Sequence, residues 1–147
     1  MRTRSLNHSV YQLQYHLVWG TRYRRHFLKP KVVENEFFES CWEVVVKKCP
    51  TLYIHTMKTN LDHVHLQIEI PPNLSIAAVV QALKINASVR LKKRFKFIKD
   101  MYLDGSIWSV GYFVSSIGLN EESIRRYIQY QGKQDSGKTM RLGFGPK

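Results

Sequence analysis

Alternation between apolar and polar residues is the clearest pattern in this chain. Residues 8–24 alternate in this way and predict a long first strand. Residues 51–59 and 63–70 form two further alternating runs separated by a short turn, which indicates a β-hairpin. Residues 107–116 form a fourth, largely apolar segment and predict the last strand of the sheet.

Apolar residues at helical spacing predict three helices. The first covers residues 31–49. The second begins after Ser75, a good N-cap residue, and continues to about Arg94. The third covers residues 121–134, where Asn120 is a suitable N-cap and the first turn is acidic.

The order of these elements predicts the fold class. A βαββαβ order followed by a C-terminal helix indicates an α+β protein with a ferredoxin-like antiparallel sheet, two helices on one face and an added last helix. With 147 residues, the chain suits a single domain. We expect residues 1–134 to form that domain and residues 135–147 to be a basic tail, mobile unless it docks.

The charge balance narrows the class of partner. Lys and Arg number 23 against 11 acidic residues, so the formal net charge is +12, which points to a polyanion. No apolar run of eighteen residues and no signal-peptide pattern is found. We therefore expect a cytoplasmic protein that binds nucleic acid and no membrane.

The chain has two clusters of basic residues without acidic neighbours. One follows the first strand, and the other lies on and after the second helix. A solvated charged face is the alternative, but the strong net charge favours contact with a nucleic-acid backbone. The candidate DNA-binding residues are Arg22, Arg24, Arg25, Lys84, Arg90, Lys92, Lys93 and Arg94.

Two histidines share the polar face of the predicted strand at residues 63–70. His63 and His65 lie two residues apart, so both side chains leave the same face. Either this is a solvated sheet face, or it is part of a metal site that needs a third ligand. Tyr127 and Gln131 lie one turn apart on the last helix, either as core and surface residues or as partners of the histidines.

Four segments, in this order and at fitting separations, carry a resemblance to a known family. The chain resembles the single-tyrosine HUH transposases of bacterial and archaeal insertion sequences. The resemblance implies that His63 and His65 are the metal-binding pair, Gln131 the third ligand and Tyr127 the nucleophile, with Mg²⁺ or Mn²⁺ as the ion. The segments are YHLVWGTRYRR, LDHVHLQIEIPP, IWSVGYFVSS and SIRRYIQYQ.

The resemblance also implies a function. Members of this family cleave and rejoin single-stranded DNA at insertion-sequence ends through a 5′-phosphotyrosine intermediate, and they recognise DNA hairpins. They work as homodimers whose active sites are shared between subunits. Arg125 and Arg126 flank the tyrosine and are expected to hold phosphates. The alternatives are a domesticated relative that acts on chromosomal palindromic repeats, or a ferredoxin-like nucleic-acid-binding module without catalysis.

Overall fold

The computed structural model describes residues 4–6, 9–11, 13–116 and 121–135. A small hairpin precedes a four-stranded sheet, two long helices and a last helix. In chain order the elements are β1 (Arg4–Leu6), β2 (Ser9–Tyr11), β3 (Gln14–Gly20), a 3₁₀ turn (Arg22–Arg24), α1 (Lys31–Lys47), β4 (Tyr53–Asn60), β5 (His63–Glu69), α2 (Ile76–Arg94), α3 (Lys96–Met101), β6 (Phe113–Ser115) and α4 (Glu121–Asp135).

The main sheet has the strand order β4-β5-β3-β6, and all its neighbours run antiparallel. The turn between β4 and β5 has two residues, so Asn60 pairs with His63 and Lys58 pairs with His65. On the other side of β5, Val18 pairs with His65. This topology confirms the predicted α+β class with a ferredoxin-like antiparallel sheet.

The core lies between the sheet and the pair α1 and α2, and it is rich in aromatic residues. Trp19 makes edge contacts with Phe37 and Trp108, at ring-centroid distances of 6.3 and 6.1 Å. Ser75 caps α2 as predicted, because its hydroxyl accepts the Ala78 N–H at 3.0 Å. The two helices therefore cover one face of the sheet. The opposite face, which carries the histidines, is the one on which α4 packs.

The predicted long first strand is wrong in its extent. Its first part, β2, pairs with β1 in a separate two-stranded sheet, and β3 ends at Gly20. Beyond that point Tyr23 and Arg24 adopt left-handed φ values of 61° and 56°, which cannot continue a strand. The Thr21 hydroxyl donates to the Arg25 carbonyl at 2.8 Å and closes the turn.

The predicted last strand is interrupted. Residues 107–109 pair with residues 20–22 through an isolated bridge, and β6 resumes the pairing opposite residues 16–18. Between the two, the Lys84 ammonium donates to the Ser109 and Gly111 carbonyls at 2.8 and 2.7 Å, so the segment loops towards α2. The short helix α3 was not predicted.

Two further predictions concern the end of the chain. Asn120 and residues 136–147 lie outside the described residues, so the N-cap and most of the basic tail stay predictions. Asp135, predicted to begin the tail, is the last residue of α4.

Candidate active site

The histidine face of the sheet forms one wall of a cavity of about 610 Å³. His63 and His65 leave β5 on this face, Asn60 and Lys58 stand opposite them on β4, and α4 supplies the other wall. The cavity is thus bounded by imidazoles on one side and by a helix on the other. Its described lining residues are Arg24, Lys58, Thr59, Asn60, Asp62, His63, His65, Glu122, Ile124, Arg125 and Ile128.

Asp62, in the hairpin turn, fixes His63 and Arg24. Its carboxylate accepts hydrogen bonds from His63 Nδ1 at 3.0 Å and from Arg24 Nε at 3.1 Å. Burial alone would raise the pKa of Asp62, but the hydrogen bonds and charges of His63 and Arg24 outweigh it and hold that pKa below its usual value. The bond occupies Nδ1 of His63 and leaves Nε2 available to a ligand.

His65 is held by a different neighbour. Its Nε2 lies 3.2 Å from Nδ1 of His16 on β3, and the two rings are tilted by 46°. Burial lowers the pKa of His65, and electrostatic interactions with His16 and Lys58 lower it further. A neutral imidazole at pH 7 is the form that a metal ion requires.

Helix α4 packs on the same face as the histidines. Tyr127 is 1% exposed and lies in an apolar cluster with Val18 of β3 and Ile128. Its ring makes an edge contact with Phe113 of β6, at a centroid distance of 5.8 Å. A Cβ at Gly20 would lie 3.2 Å from the Ile128 side chain, so glycine at this position lets α4 approach the sheet.

The two helix residues predicted for the site are both buried. Burial raises the pKa of Tyr127, the Asp135 charge raises it further, and a hydrogen bond with Gln131 acts in the opposite direction. Tyr127 is therefore a neutral phenol at physiological pH. Gln131 is 2% exposed. The α4 residues that line the cavity are Glu122, Ile124, Arg125 and Ile128, and neither Tyr127 nor Gln131 is among them.

The C-terminal end of α4 is tied to the turn after β3. The Asp135 carboxylate accepts the N–H of Tyr23 at 2.9 Å and a hydrogen bond from the Ser109 hydroxyl. A Cβ at Gly132 would lie 2.4 Å from Cδ of Arg24, so a larger residue at this position would displace the Arg24 side chain. These contacts hold the helix in the position that buries Tyr127.

The four predicted site residues are thus brought to one face of the sheet but not to one point. Within the described residues, no group of three or more His, Cys, Asp or Glu side chains has the geometry to hold a metal ion. His63 and His65 offer two imidazole nitrogen donors, and the Gln131 amide offers an oxygen donor. These donors suit a divalent cation, although Gln131, like Tyr127, is buried and lies outside the cavity lining.

The predicted DNA-binding residues divide by location. Arg24 and Arg125 line the cavity, and Arg25, Lys93 and Arg126 are exposed. Five others make hydrogen bonds or ion pairs with residues elsewhere in the chain, and these contacts stabilise the fold. Lys84 bonds loop carbonyls, Arg90 and Arg94 bond Glu36 at 2.7 and 2.6 Å, Lys92 bonds the Gly105 carbonyl and Arg22 bonds the Asp104 carbonyl.

Sequence reasoning missed two residues beside the histidines. Lys58 stands directly opposite His65, and a two-residue hairpin turn would have predicted that register. His16 is one diagonal step from His65, because Val18 pairs with His65. Finding His16 needed the pairing of β3 with β5, which alternation within a single strand does not specify.

Comparison with known proteins identifies the family. Residues 9–131 match the model of the IS200-like transposases, and the chain belongs to this family of DNA-transposing enzymes. The transposase of the insertion sequence IS200 from Salmonella typhimurium is 28% identical over 134 residues, which cover 90% of this chain and 85% of that protein. The ISDra2 transposase TnpA of Deinococcus radiodurans is 29% identical over 123 residues, or 83% and 86% of the two chains.

Solved structures agree with this assignment. A crystal structure described as a candidate transposase from Deinococcus radiodurans R1 superposes with a TM-score of 0.68 at 25% identity, covering 93% of this chain and 99% of that one. The REP-associated tyrosine transposase bound to a REP hairpin gives a TM-score of 0.51 at 13% identity, with 92% and 76% covered, which shows a shared fold.

In the described part of the chain, no helix has the length and apolar character needed to span a membrane.

Proposed function

We propose that the chain cleaves and rejoins single-stranded DNA at the ends of an insertion sequence, through a covalent 5′-phosphotyrosine formed on Tyr127. The observation that carries this proposal is the packing of α4 on the sheet face that bears His63 and His65. Membership of a transposase family favours this enzyme over a nucleic-acid-binding module without catalysis. Arg24, Lys58 and Arg125 give the cavity cationic walls that suit a phosphate backbone.

The reaction exchanges one phosphate ester for another. The phenolic oxygen of Tyr127 attacks the phosphorus, the bond from phosphorus to the 3′-oxygen breaks, and the 5′ phosphate stays on the tyrosine. The phenol loses its proton and the departing 3′-oxygen takes one up. A second 3′-hydroxyl then attacks the phosphotyrosine, which restores a phosphodiester without ATP because the linkage keeps the energy of the broken bond.

We propose that His63, His65 and Gln131 hold a divalent cation, Mg²⁺ or Mn²⁺. When bound, the cation would draw charge from the phosphate oxygens and from the leaving 3′-oxygen. Asp62 orients His63 for this role through the bond to Nδ1. Gln131 is buried beside Tyr127, so a movement that exposes the nucleophile would also release the third ligand.

The described position of α4 suits a resting enzyme. A buried, neutral phenol is a poor nucleophile, and the cavity wall nearest the histidines is formed by other residues of the helix. We propose that α4 changes position before cleavage. In a homodimer, the helix of each subunit would cross to the histidine strand of the partner subunit, so that every active site is shared.

The nucleophile is tested by trapping the covalent intermediate. Labelled single strands that span the hairpin-bearing ends of the element carrying the gene are incubated with protein and Mg²⁺, then separated on a denaturing gel. Wild type should form a protein–DNA adduct, Tyr127→Phe should form none, and EDTA should abolish it. Tyr130→Phe is the matched control, because Tyr130 is also buried on α4, and it should keep the adduct. An adduct on Tyr127→Phe would remove Tyr127 from the mechanism.

The shared active site is tested by mixing two inactive variants. His65→Ala keeps the tyrosine, and Tyr127→Phe keeps the histidine strand. If sites are shared, mixed dimers contain one complete site and should regain adduct formation, with the DNA attached to the His65→Ala chain. Two variants that stay inactive together, while each still dimerises at micromolar concentration and binds DNA, would show that each subunit acts alone.

A further inference from the structure

His16 belongs to the histidine face although it lies on a different strand from His63 and His65. In the register of β3 and β5, His16 pairs with Gln67 and Val18 pairs with His65. His16 is therefore a diagonal neighbour of His65 on the same face, a position within reach of a ring. Its Nδ1 lies 3.2 Å from Nε2 of His65, and the ring centroids are 5.5 Å apart.

A hydrogen bond between two imidazoles constrains both rings. A neutral imidazole has one N–H donor and one acceptor nitrogen, so one ring donates and the other accepts. Once the pair has formed, the tautomer of one ring sets the tautomer of the other. The bond also fixes the rotation of the His65 ring, which a strand side chain facing an open cavity would otherwise be free to change.

The two histidines of β5 are thus supported in a parallel manner. Asp62 accepts a hydrogen bond from Nδ1 of His63 and leaves Nε2 available. In the tautomer in which Nε2–H of His65 donates to Nδ1 of His16, Nδ1 of His65 carries no proton and is available to a ligand. In metal sites, a ligating histidine commonly bonds a neighbouring group through its other ring nitrogen, and this contact sets tautomer and orientation. His65 has such a neighbour in His16.

We propose that His16 is a positioning residue for the metal site: it fixes the tautomer and the ring orientation of His65 through the bond to Nε2. The inference rests on the proposed function, in which His65 is a ligand. It assigns no direct contact between His16 and DNA or the metal ion. Loss of such a supporting residue typically weakens metal affinity by roughly 10- to 100-fold.

Manganese binding to the full chain without DNA gives the first readout, by calorimetry or by the electron paramagnetic resonance signal of free Mn²⁺. His16→Ala should weaken Mn²⁺ binding by about tenfold or more. His16→Asn should weaken it less, because the Asn amide can occupy the place of Nδ1. His26→Ala is the matched control, since His26 is exposed and outside the cavity lining, and it should bind Mn²⁺ like wild type.

The tautomer of His65 gives a second readout that needs no metal. In wild type, ¹⁵N resonances of the imidazole should report a single neutral tautomer, and in His16→Ala they should report a mixture. Circular dichroism and DNA affinity in EDTA check that each variant is folded. If His16→Ala does not fold, His16→Asn carries the same comparison.

The outcomes separate this inference from the proposed function. Wild type that binds no Mn²⁺ would overturn the metal step of the proposed function and, with it, a metal-site role for His16. Wild type and His16→Ala that bind Mn²⁺ equally would overturn the role of His16 alone. An unchanged tautomer of His65 in His16→Ala would do the same.

Discussion

The two faces of the main sheet are packed in different ways. On the face covered by α1 and α2, Leu17, Trp19 and Leu66 are fully buried in a continuous apolar core. On the opposite face, the buried apolar cluster in the described residues consists of Val18, Tyr127 and Ile128, beside a cavity lined by polar groups. One sheet therefore separates the packing that stabilises the fold from the residues proposed for chemistry.

This difference shows where the chain can tolerate movement. Burying one large apolar side chain contributes about 1.5–3 kcal/mol, so the helix-covered face supplies most of the hydrophobic stabilisation. The contact of α4 depends on a smaller apolar cluster together with the Asp135 hydrogen bonds. This weaker attachment supports the proposal that α4 leaves its position while the rest of the domain stays folded.

The largest expected effect on stability is on the helix-covered face. Phe37 is fully buried against Trp19 and Trp108, so Phe37→Ala should lower the free energy of unfolding by about 3–5 kcal/mol. Urea unfolding measures it. Val46→Ala is the matched control on the same helix, because Val46 is 74% exposed, and it should change stability by less than about 0.5 kcal/mol. If Phe37→Ala lowered the free energy of unfolding by less than about 1 kcal/mol, the core would have repacked to fill the cavity.

A second prediction compares two arginines that the sequence alone could not tell apart. Arg90 bonds Glu36 at 2.7 Å and Glu43 at 3.2 Å, and its side chain is 27% exposed. Arg90→Gln should therefore destabilise the fold by about 1–3 kcal/mol, with little change in DNA affinity. Arg125 lines the cavity, so Arg125→Gln should weaken DNA binding while its unfolding curve stays close to that of wild type.

The measurement is DNA affinity over a range of salt concentrations, alongside urea unfolding. Loss of one phosphate contact lowers the slope of log affinity against log salt by about 1. We expect that change for Arg125→Gln and no change for Arg90→Gln. Equal loss of DNA affinity in both variants would mean that the α1–α2 surface also contacts DNA.

The fold was largely predictable because its signals are local. Alternation located β4 and β5 to within two residues, and the Ser75 cap placed the start of α2 at the observed residue. The breaks after Gly20 and around residues 110–112 were missed because tertiary bonds cause them. At the first break the Thr21 N–H donates to the Asp62 carbonyl at 2.9 Å, and at the second the Lys84 ammonium donates to the Ser109 and Gly111 carbonyls.

The sheet face that carries the histidines was predictable, but the arrangement of residues around them was not. The spacing of His63 and His65 placed both on one face, and the resemblance singled out Tyr127 and Gln131. Nothing along a single strand specifies that His16 meets His65, or that α4 buries Tyr127. Both depend on how separate elements pack, and hence on contacts between residues distant in the sequence.

A smaller effect than that of Phe37→Ala concerns Lys84, which was predicted to bind DNA but lies beneath a loop. Burial lowers the pKa of Lys84 to about 8, although the Asp135 charge acts in the opposite direction. Below pH 8 the amine is protonated in the folded and the unfolded chain alike. Between pH 8 and 10.5 the unfolded chain binds more protons, so the free energy of unfolding should rise with pH, by about 2–3 kcal/mol.

Two variants isolate this rise from other titrations. Lys84→Met has no charge to lose, and Lys84→Arg stays protonated throughout the range, so neither should gain stability between pH 8 and 10.5. Tyr102 and Tyr127, whose pKa values burial raises, are common to all three proteins, and their effect cancels in the differences. A wild-type curve parallel to both variants would place the Lys84 ammonium in solvent, where it would be available to a DNA phosphate.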